Sequence, residues 1–120
     1  MIQIYHNPRC GKSRNCLAFA EDKNLDYEIV KYLETPPSKE ELTELLNKLQ
    51  ITPLELVRQK EKIWIENYKN QTLTDKDIIE ILTIHPILIE RPILVSGEKA
   101  IIGREIDKVN SFIEQIGGQI

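Results

Sequence analysis

The chain has 120 residues, a net charge of −3 and a hydrophobic fraction of 41%. This length predicts a single domain, residues 1–120, and the apolar fraction is enough for one core, which argues against wholesale disorder. Proteins that bind nucleic acid or anionic membranes usually carry a basic surplus, so neither is an expected partner. No segment approaches the ~20 apolar residues of a membrane span, and the two cysteines are too few for a secreted disulfide scaffold. We therefore expect a reduced, cytoplasmic protein.

The first third of the chain predicts a strand, a helix and a second strand. Residues 2–5 alternate apolar and polar side chains, the composition becomes helical from Gly11 to about Asp22, and residues 27–32 are again rich in strand formers. Two strands at this spacing are expected to be parallel, with a right-handed crossover.

The middle of the chain predicts a helical insertion at about residues 38–86. Ser38 with Glu41 is a capping-box signature, and leucines at helical spacing follow it. Thr74 with Asp77 predicts a later helix that ends near His85-Pro86, with three apolar side chains on its buried face: Ile78, Ile81 and Leu82.

A shorter element lies between these two helices. Thr52-Pro53 is a further start signal, because proline is favoured at the first helical position. It predicts a short helix that carries Leu54, Val57 and Arg58. Residues 59–73 are ambiguous, and their expected anchors are Trp64 and Tyr68.

The last third predicts a hairpin and a final helix. Residues 92–95 and 100–102 are rich in strand formers and flank Ser96-Gly97-Glu98-Lys99, a hairpin signal. The final helix ends at Gly117-Gly118 and carries on one side Ile106, Val109, Ile113 and Ile116. The order of elements predicts an α/β, thioredoxin-like fold: a mixed four-stranded sheet with flanking helices, and the helical insertion between the βαβ and ββα halves.

The residues suited to chemistry crowd into the turn between the first strand and the first helix. Cys10 lies where the helix begins, and free backbone N–H groups and the helix dipole favour an anion there. The same turn supplies three cations: Arg9, Lys12 and Arg14. Ser13 and Arg14 share a helix face with Cys10, and His6 is placed to hydrogen-bond into the loop. The pattern predicts a stabilised thiolate beside an oxyanion site; the alternative is an inert cysteine among solvated charges.

Cys16 has different surroundings in the sequence. Six helical residues rise about 9 Å, which places Cys16 on the far side of the helix from Cys10, whereas a disulfide needs Cα atoms within about 7 Å. Its neighbours Leu17 and Phe19 indicate a buried structural thiol. Because Ser13 stands where a Cys-x-x-Cys motif needs its second cysteine, the site is monothiol, and its resolving thiol must come from another molecule.

Two other site types do not fit this loop. A Walker A loop requires a glycine four residues before Gly11-Lys12-Ser13, and a phosphatase-type loop requires arginine where Cys16 stands. The His, Cys, Asp and Glu residues show no metal-ligand spacing, so no metal is expected.

Three motifs, in this order, closely resemble those of the glutaredoxin-coupled arsenate reductases: Tyr5-His6-Asn7-Pro8-x-Cys10-Gly11-x-Ser13-Arg14-Asn15, Tyr32-Leu33-Glu34-Thr35-Pro36-Pro37, and His85-Pro86-Ile87-Leu88-Ile89-x-Arg91-Pro92-Ile93. The resemblance covers essentially the whole chain. It implies that the Cys10 thiolate attacks arsenate to form a cysteine–arsenic adduct. Glutathione then adds as co-substrate, arsenic is reduced from the pentavalent to the trivalent state, and glutaredoxin clears the mixed disulfide. No bound cofactor is implied.

The resemblance also implies residue roles. By motif position, three arginines bind the oxyanion: Arg58, Arg91 and Arg104. It implies a cis-proline at Pro92, which points Arg91 at the cysteine. His6 resembles a loop histidine that helps to lower the pKa of the thiol, Ser13 is expected to donate a hydrogen bond to the thiolate, and Asn7 to hold the loop. Guanidinium groups suit an oxyanion because they form paired hydrogen bonds and keep their charge, so Arg14 is a further candidate ligand.

Two other functions stay open at this point. The first is a glutathione-dependent monothiol oxidoreductase that uses Cys10 on another substrate, without the full arginine set. The second is a regulator of the Spx type, a class that shares the fold, binds RNA polymerase and carries a Cys-x-x-Cys switch. Ser13, in place of the second cysteine, argues against the regulator.

Overall fold

The structure, a computed structural model, describes residues 2–117, which fall into two compact units. The sheet unit is built from the chain up to Tyr32 and from Arg91 onward, and the helical unit spans Leu33–Glu90. None of the helices in these described residues is both long and apolar enough to cross a lipid bilayer.

The sheet unit contains one mixed sheet of four strands in the order β2-β1-β3-β4. Its strands are β1 (Ile2–Tyr5), β2 (Tyr27–Val30), β3 (Ile93–Ser96) and β4 (Lys99–Ile102). Strand β1 pairs parallel with β2 and antiparallel with β3, which in turn pairs antiparallel with β4. This topology confirms the predicted α/β, thioredoxin-like arrangement, including the parallel pairing across the first helix.

Two helices, α1 (Gly11–Asp22) and α5 (Ile106–Gly117), contribute to the core of the sheet unit. The core combines buried side chains from β1, β3 and both helices: Ile2, Ile4, Cys16, Ala20, Leu94, Val109 and Phe112. The side chain of Ile106, predicted on the buried side of α5, is 44% exposed, so that assignment is wrong; Phe112, one turn beyond Val109, is buried instead. The predicted stop at Gly118 lies outside the described residues.

Strand β2 is shorter than the sequence predicts. It ends at Val30 because its partner β1 ends at Tyr5, and the last rung is a hydrogen bond from the His6 N–H to the Val30 carbonyl at 3.1 Å. Beyond that point the chain has no strand to pair with, and Tyr32 is fully buried with its ring centroid 6.4 Å from that of Tyr5.

The hairpin between β3 and β4 turns at Gly97. Its φ of 58° lies in the left-handed region, which glycine adopts without steric cost. The predicted hairpin is therefore confirmed.

The helical unit contains α2 (Lys39–Leu49), α3 (Lys62–Asn67) and α4 (Asp75–Ile84), with short 3-10 helices at Pro53–Leu56 and Pro86–Leu88. Reciprocal capping boxes begin α2, the first 3-10 helix and α4, with N-cap residues Ser38, Thr52 and Thr74. These starts confirm the predicted ones, because the capping signal is local in sequence.

The element after Thr52 differs from the prediction. The 3-10 helix ends at Leu56, so it does not carry Arg58, and Leu54 is 42% exposed. Val57 forms a β-bridge with Ile89. On either side of it, the Glu90 N–H donates to the Leu56 carbonyl and the Arg58 N–H donates to the Leu88 carbonyl. These cross-chain bonds take the backbone groups that a longer helix would have used.

The aromatic anchors expected between residues 59 and 73 are confirmed. Trp64 is 4% exposed on α3, and its ring lies 5.7 Å from that of Tyr68 between centroids. The Tyr68 hydroxyl is 3.2 Å from His85 Nε2 at the end of α4. This cluster joins α3 to α4 within the helical unit.

Candidate active site

Cys10 is the N-cap residue of α1 and ends a tight loop that follows β1. Its backbone N–H donates to the Asn7 carbonyl, and its carbonyl accepts from the Arg14 N–H, each at 3.0 Å. The Arg9 N–H donates to Asn7 Oδ1, also at 3.0 Å. The Cys10 thiol makes no capping hydrogen bond and is partly exposed. The loop therefore presents a free sulfur at the positive end of a helix.

The Ser13 hydroxyl holds this loop from inside. It lies 2.7 Å from His6 Nδ1 and accepts the Asn7 backbone N–H at 3.0 Å. Ser13, His6 and Asn7 are all buried. The sequence predicts that the Ser13 hydroxyl donates to the thiolate, but the structure directs this hydroxyl to His6 and Asn7. The side-chain contacts of Asn7 and Ser13 fix the course of residues 6–13.

Several groups act on the Cys10 sulfur. Burial by itself raises the pKa of Cys10, but the backbone N–H of Ser13, the Arg91 guanidinium and the backbone N–H of Lys12 together hold that pKa below its ordinary value. Hydrogen bonds and positive charge favour the charged form of a thiol. The site is built to hold a thiolate.

His6 is a neutral partner in the loop. Burial lowers the pKa of His6 below its ordinary value; the hydrogen bond with Ser13 opposes this shift, and the charge of Arg14 adds to it. The imidazole is therefore uncharged at pH 7. Its Nδ1 contacts the Ser13 hydroxyl, and the role of His6 in lowering the pKa of the thiol stays a prediction.

Arg91 is the buried cation of the site. Its side chain is 7% exposed, and the Arg91–Pro92 peptide bond is cis. The Nε and Nη1 atoms have no hydrogen-bond partner among residues 2–117. A buried guanidinium with unengaged donors beside a thiolate is a receptor for an anionic ligand.

Two further arginines lie in the same unit. Arg104 is partly buried and donates from Nη1 to the Arg91 carbonyl at 3.3 Å. Arg14 is exposed, and its Nη1 donates to the Pro8 carbonyl at 3.0 Å. The sheet unit therefore contains Cys10, His6, Ser13, Arg14, Arg91 and Arg104 from the predicted site.

Arg58 belongs to the helical unit and is bound there by two carboxylates. Its Nη1 pairs with Glu61, and its Nε lies 3.6 Å from Glu90. Sequence reasoning missed both partners. The i, i+3 spacing of Arg58 and Glu61 could have indicated the first, whereas Glu90 reaches Arg58 only through the pairing of residues 56–58 with 88–90.

Cys16 has the properties of a structural thiol. It is 1% exposed in the core, and burial raises the pKa of its thiol to about 11. Both cysteines are free. No group of three or more His, Cys, Asp and Glu side chains within the described range could hold a metal ion.

Comparisons with known proteins identify the family of the chain. The ArsC family model matches residues 5–112. An arsenate reductase of Neisseria meningitidis is 36% identical over 114 residues, which covers 93% of this chain and 97% of the relative. An arsenate reductase of Escherichia coli is 40% identical over 96 residues, 79% of this chain and 68% of the relative. The structure of an arsenate reductase from Vibrio cholerae superimposes with a TM-score of 0.86 at 39% identity, covering 92% of this chain and 95% of that one. The chain belongs to the ArsC family.

Proposed function

We propose that this protein is an arsenate reductase that uses Cys10 as its nucleophile and glutathione and glutaredoxin as its reductants. The observation that carries the proposal is the Cys10 thiol at a helix N-terminus, its pKa lowered, beside the buried Arg91 guanidinium. The Nε and Nη1 atoms of Arg91 have no hydrogen-bond partner in the described part of the chain. The curated relatives named arsenate reductase support the choice of substrate.

Arsenate is a tetrahedral oxyanion, and guanidinium groups bind such anions through paired hydrogen bonds. The free donors of Arg91 supply the first anchor, with Arg104 beside it. Arg58 and Arg14 are the remaining candidate ligands. Negative charge grows on the arsenate oxygens as the thiolate attacks, and fixed donors are most effective where charge develops.

The reaction balances with two external thiols. The Cys10 sulfur forms a bond to pentavalent arsenic, and one arsenate oxygen leaves as water after protonation. The glutathione thiol then displaces a second arsenate oxygen, which also leaves as water, and a sulfur–arsenic bond forms. The glutaredoxin thiolate attacks the glutathione sulfur and breaks that bond, which leaves two electrons on arsenic. The products are a glutathione–glutaredoxin disulfide and trivalent arsenic on Cys10, which water releases as arsenite.

The second thiol has to come from outside the chain because Cys16 is buried with a raised pKa and Ser13 replaces a vicinal cysteine. Glutathione and glutaredoxin supply it in a reducing compartment, so we assign the protein to the cytoplasm.

A coupled assay tests the proposal. Arsenate-dependent oxidation of NADPH is measured with glutathione, glutaredoxin, glutathione reductase and the purified protein. We expect a rate that requires arsenate, glutathione and glutaredoxin together. A rate that does not depend on arsenate, at high protein concentration, would exclude arsenate reduction.

One observation favours a second candidate, a glutathione-dependent monothiol oxidoreductase with another substrate. Arg58 is already paired with Glu61 and Glu90, so its charge is compensated within the helical unit. Formation of a mixed disulfide between Cys10 and oxidised glutathione, without arsenate turnover, would support this candidate over the first.

A further inference from the structure

A side chain at Gly103, in the sheet unit, would crowd its neighbours in the core. Gly103 directly follows β4, and its main chain lies against three different elements. A Cβ atom at position 103 would lie 2.6 Å from Leu94 Cδ1, 3.1 Å from Val109 Cγ2 and 3.5 Å from Cys16 Sγ. The first two distances are shorter than ordinary van der Waals contact, so any other residue must displace its neighbours in a close-packed core.

The same turn is hydrogen-bonded to the main chain around Arg91. The Gly103 N–H donates to the Pro92 carbonyl at 2.7 Å. The next residue, Arg104, donates from Nη1 to the Arg91 carbonyl at 3.3 Å. Two consecutive residues thus bind two consecutive carbonyls, and together they hold the segment that carries the site's buried cation.

The Arg91 side chain depends on this support. Its Nε and Nη1 atoms have no hydrogen-bond partner among the described residues, so those donors do not fix its direction. The guanidinium acts on the Cys10 sulfur, and its main chain is held by the bonds to the Arg91 and Pro92 carbonyls. A shift of residues 91 and 92 would therefore move the guanidinium.

We propose that Gly103 and Arg104 are positioning residues, which hold the main chain of Arg91 and Pro92 so that the Arg91 guanidinium stays beside the Cys10 sulfur. The inference rests on the proposed function, because it assigns a role in the same site. It gives Gly103 a role beyond core packing, and it gives Arg104 a contact with the protein in addition to any contact with substrate.

The test is the pH profile of Cys10 alkylation by iodoacetamide, followed by mass spectrometry of the Cys10 peptide. Because the thiolate is the reactive form, the midpoint of this profile reports the acidity of the thiol. In Gly103→Ala, we expect the midpoint to move to higher pH and alkylation at neutral pH to slow about threefold. A profile identical to that of the wild-type protein would overturn the proposal.

Gly97→Ala is the matched control. Gly97 has a φ of 58° at the hairpin tip, and a Cβ there would have no heavy atom within 4 Å. The substitution costs stability through backbone strain but leaves the bonds of residues 103 and 104 in place. We expect a lower melting temperature with an unchanged alkylation midpoint. A midpoint that moves equally in both variants would show that general destabilisation is the cause, and would overturn the proposal.

A rescue variant separates positioning from packing. Leu94→Val removes the Cδ1 atom that lies nearest to the added methyl group. In the double variant Gly103→Ala with Leu94→Val, we expect the alkylation midpoint to return toward that of Leu94→Val alone. A double variant with no recovery would contradict the proposed route through this contact.

If Gly103→Ala does not fold, Arg104→Met carries the test, because Arg104 is only partly buried. Its alkylation profile is measured in 1 M NaCl, where charges separated by more than ~3 Å are screened. If the alkylation midpoint of Arg104→Met stays above that of the wild-type protein in this salt, the result supports positioning. If the difference between the two midpoints disappears in salt, the result contradicts positioning.

The alkylation assay contains no arsenate or glutathione. A wild-type thiol no more acidic than free cysteine would count against the proposed function, whereas an acidic thiol unaffected by these variants would remove only this inference.

Discussion

The two cysteines of this chain lie on one helix, yet their surroundings have opposite effects. Cys10 is at the N-cap of α1, where backbone N–H groups and Arg91 lower the pKa of its thiol. Cys16 lies six residues along the same helix, where burial raises the pKa of its thiol to about 11. The comparison shows that reactivity depends on position relative to the helix end, and on burial without a charged partner, more than on the cysteine itself.

Serine substitution of each cysteine gives the strongest contrast. A serine hydroxyl is a far weaker nucleophile than a thiolate, so Cys10→Ser should lower arsenate-dependent NADPH oxidation at least ~10³-fold. Cys16→Ser should retain most of the activity, because Cys16 makes no contact that the reaction needs. An active Cys10→Ser protein, or an inactive but folded Cys16→Ser protein, would reverse the assignment of the two thiols.

Arg91→Met removes the cation that distinguishes the surroundings of Cys10 from those of Cys16. Loss of its donors should lower kcat/KM for arsenate about 100-fold, and the midpoint of Cys10 alkylation should rise. Arg9→Met is the matched control, since Arg9 is an exposed arginine next to the same cysteine. Equal effects in the two variants would mean that general positive charge, and not the buried donors of Arg91, is responsible.

Ser13→Ala tests the loop that holds Cys10 in place. The change leaves His6 Nδ1 and the Asn7 N–H buried without their partner, which should lower the free energy of unfolding by about 1–3 kcal/mol. The backbone N–H of residue 13 remains, so the alkylation midpoint of Cys10 should move less than in Arg91→Met. Urea unfolding measures the first effect, with the exposed Ser111→Ala as control. A Ser13→Ala protein as stable as that control would show that the hydroxyl does not hold the loop.

Alkaline pH should reveal the buried thiol through stability. Because the pKa of Cys16 is raised on folding, the unfolded chain loses this proton first, and stability falls as pH rises from the unfolded value to about 11. Between pH 8 and 11, the free energy of unfolding of the wild-type protein should fall by about 2 kcal/mol more than that of Cys16→Ala. The contribution of Cys10 to the pH dependence of stability has the opposite sign. Because the pKa of Cys10 is lowered on folding, it contributes stability that is lost as pH falls. Parallel pH dependences in the wild type and Cys16→Ala would contradict the buried-thiol description.

Most of the fold could be predicted because its signals are local in sequence. Alternating strand residues, three capping boxes and the hairpin glycine each lie within a few positions of the element they define. Two of the errors concern the ends of elements, and both occurred where pairing with a distant segment decides the outcome. Strand β2 ends where β1 ends, and the helix expected through Arg58 ends at Leu56 because that segment pairs with residues 88–90.

The candidate site divides in the same way. The Cys10 loop was predictable, because a helix N-terminus and its neighbouring side chains follow one another along the chain. The hydroxyl of Ser13, the carboxylates around Arg58 and the crowding at Gly103 were not, because each depends on where a folded neighbour directs its atoms. Spacing alone does not show which partner a polar side chain chooses.

The Arg91 Nε and Nη1 atoms, which lack a hydrogen-bond partner within residues 2–117, have a consequence for handling the protein. An anion bound by these Arg91 donors binds only the folded chain, so it should raise the melting temperature. At a hundredfold excess over its Kd, the free energy of unfolding should rise by about 2.7 kcal/mol. Sulfate or phosphate buffers should therefore protect the protein better than chloride at equal ionic strength. Orthophosphate has the same tetrahedral shape as arsenate, so we expect phosphate to compete with arsenate for these donors.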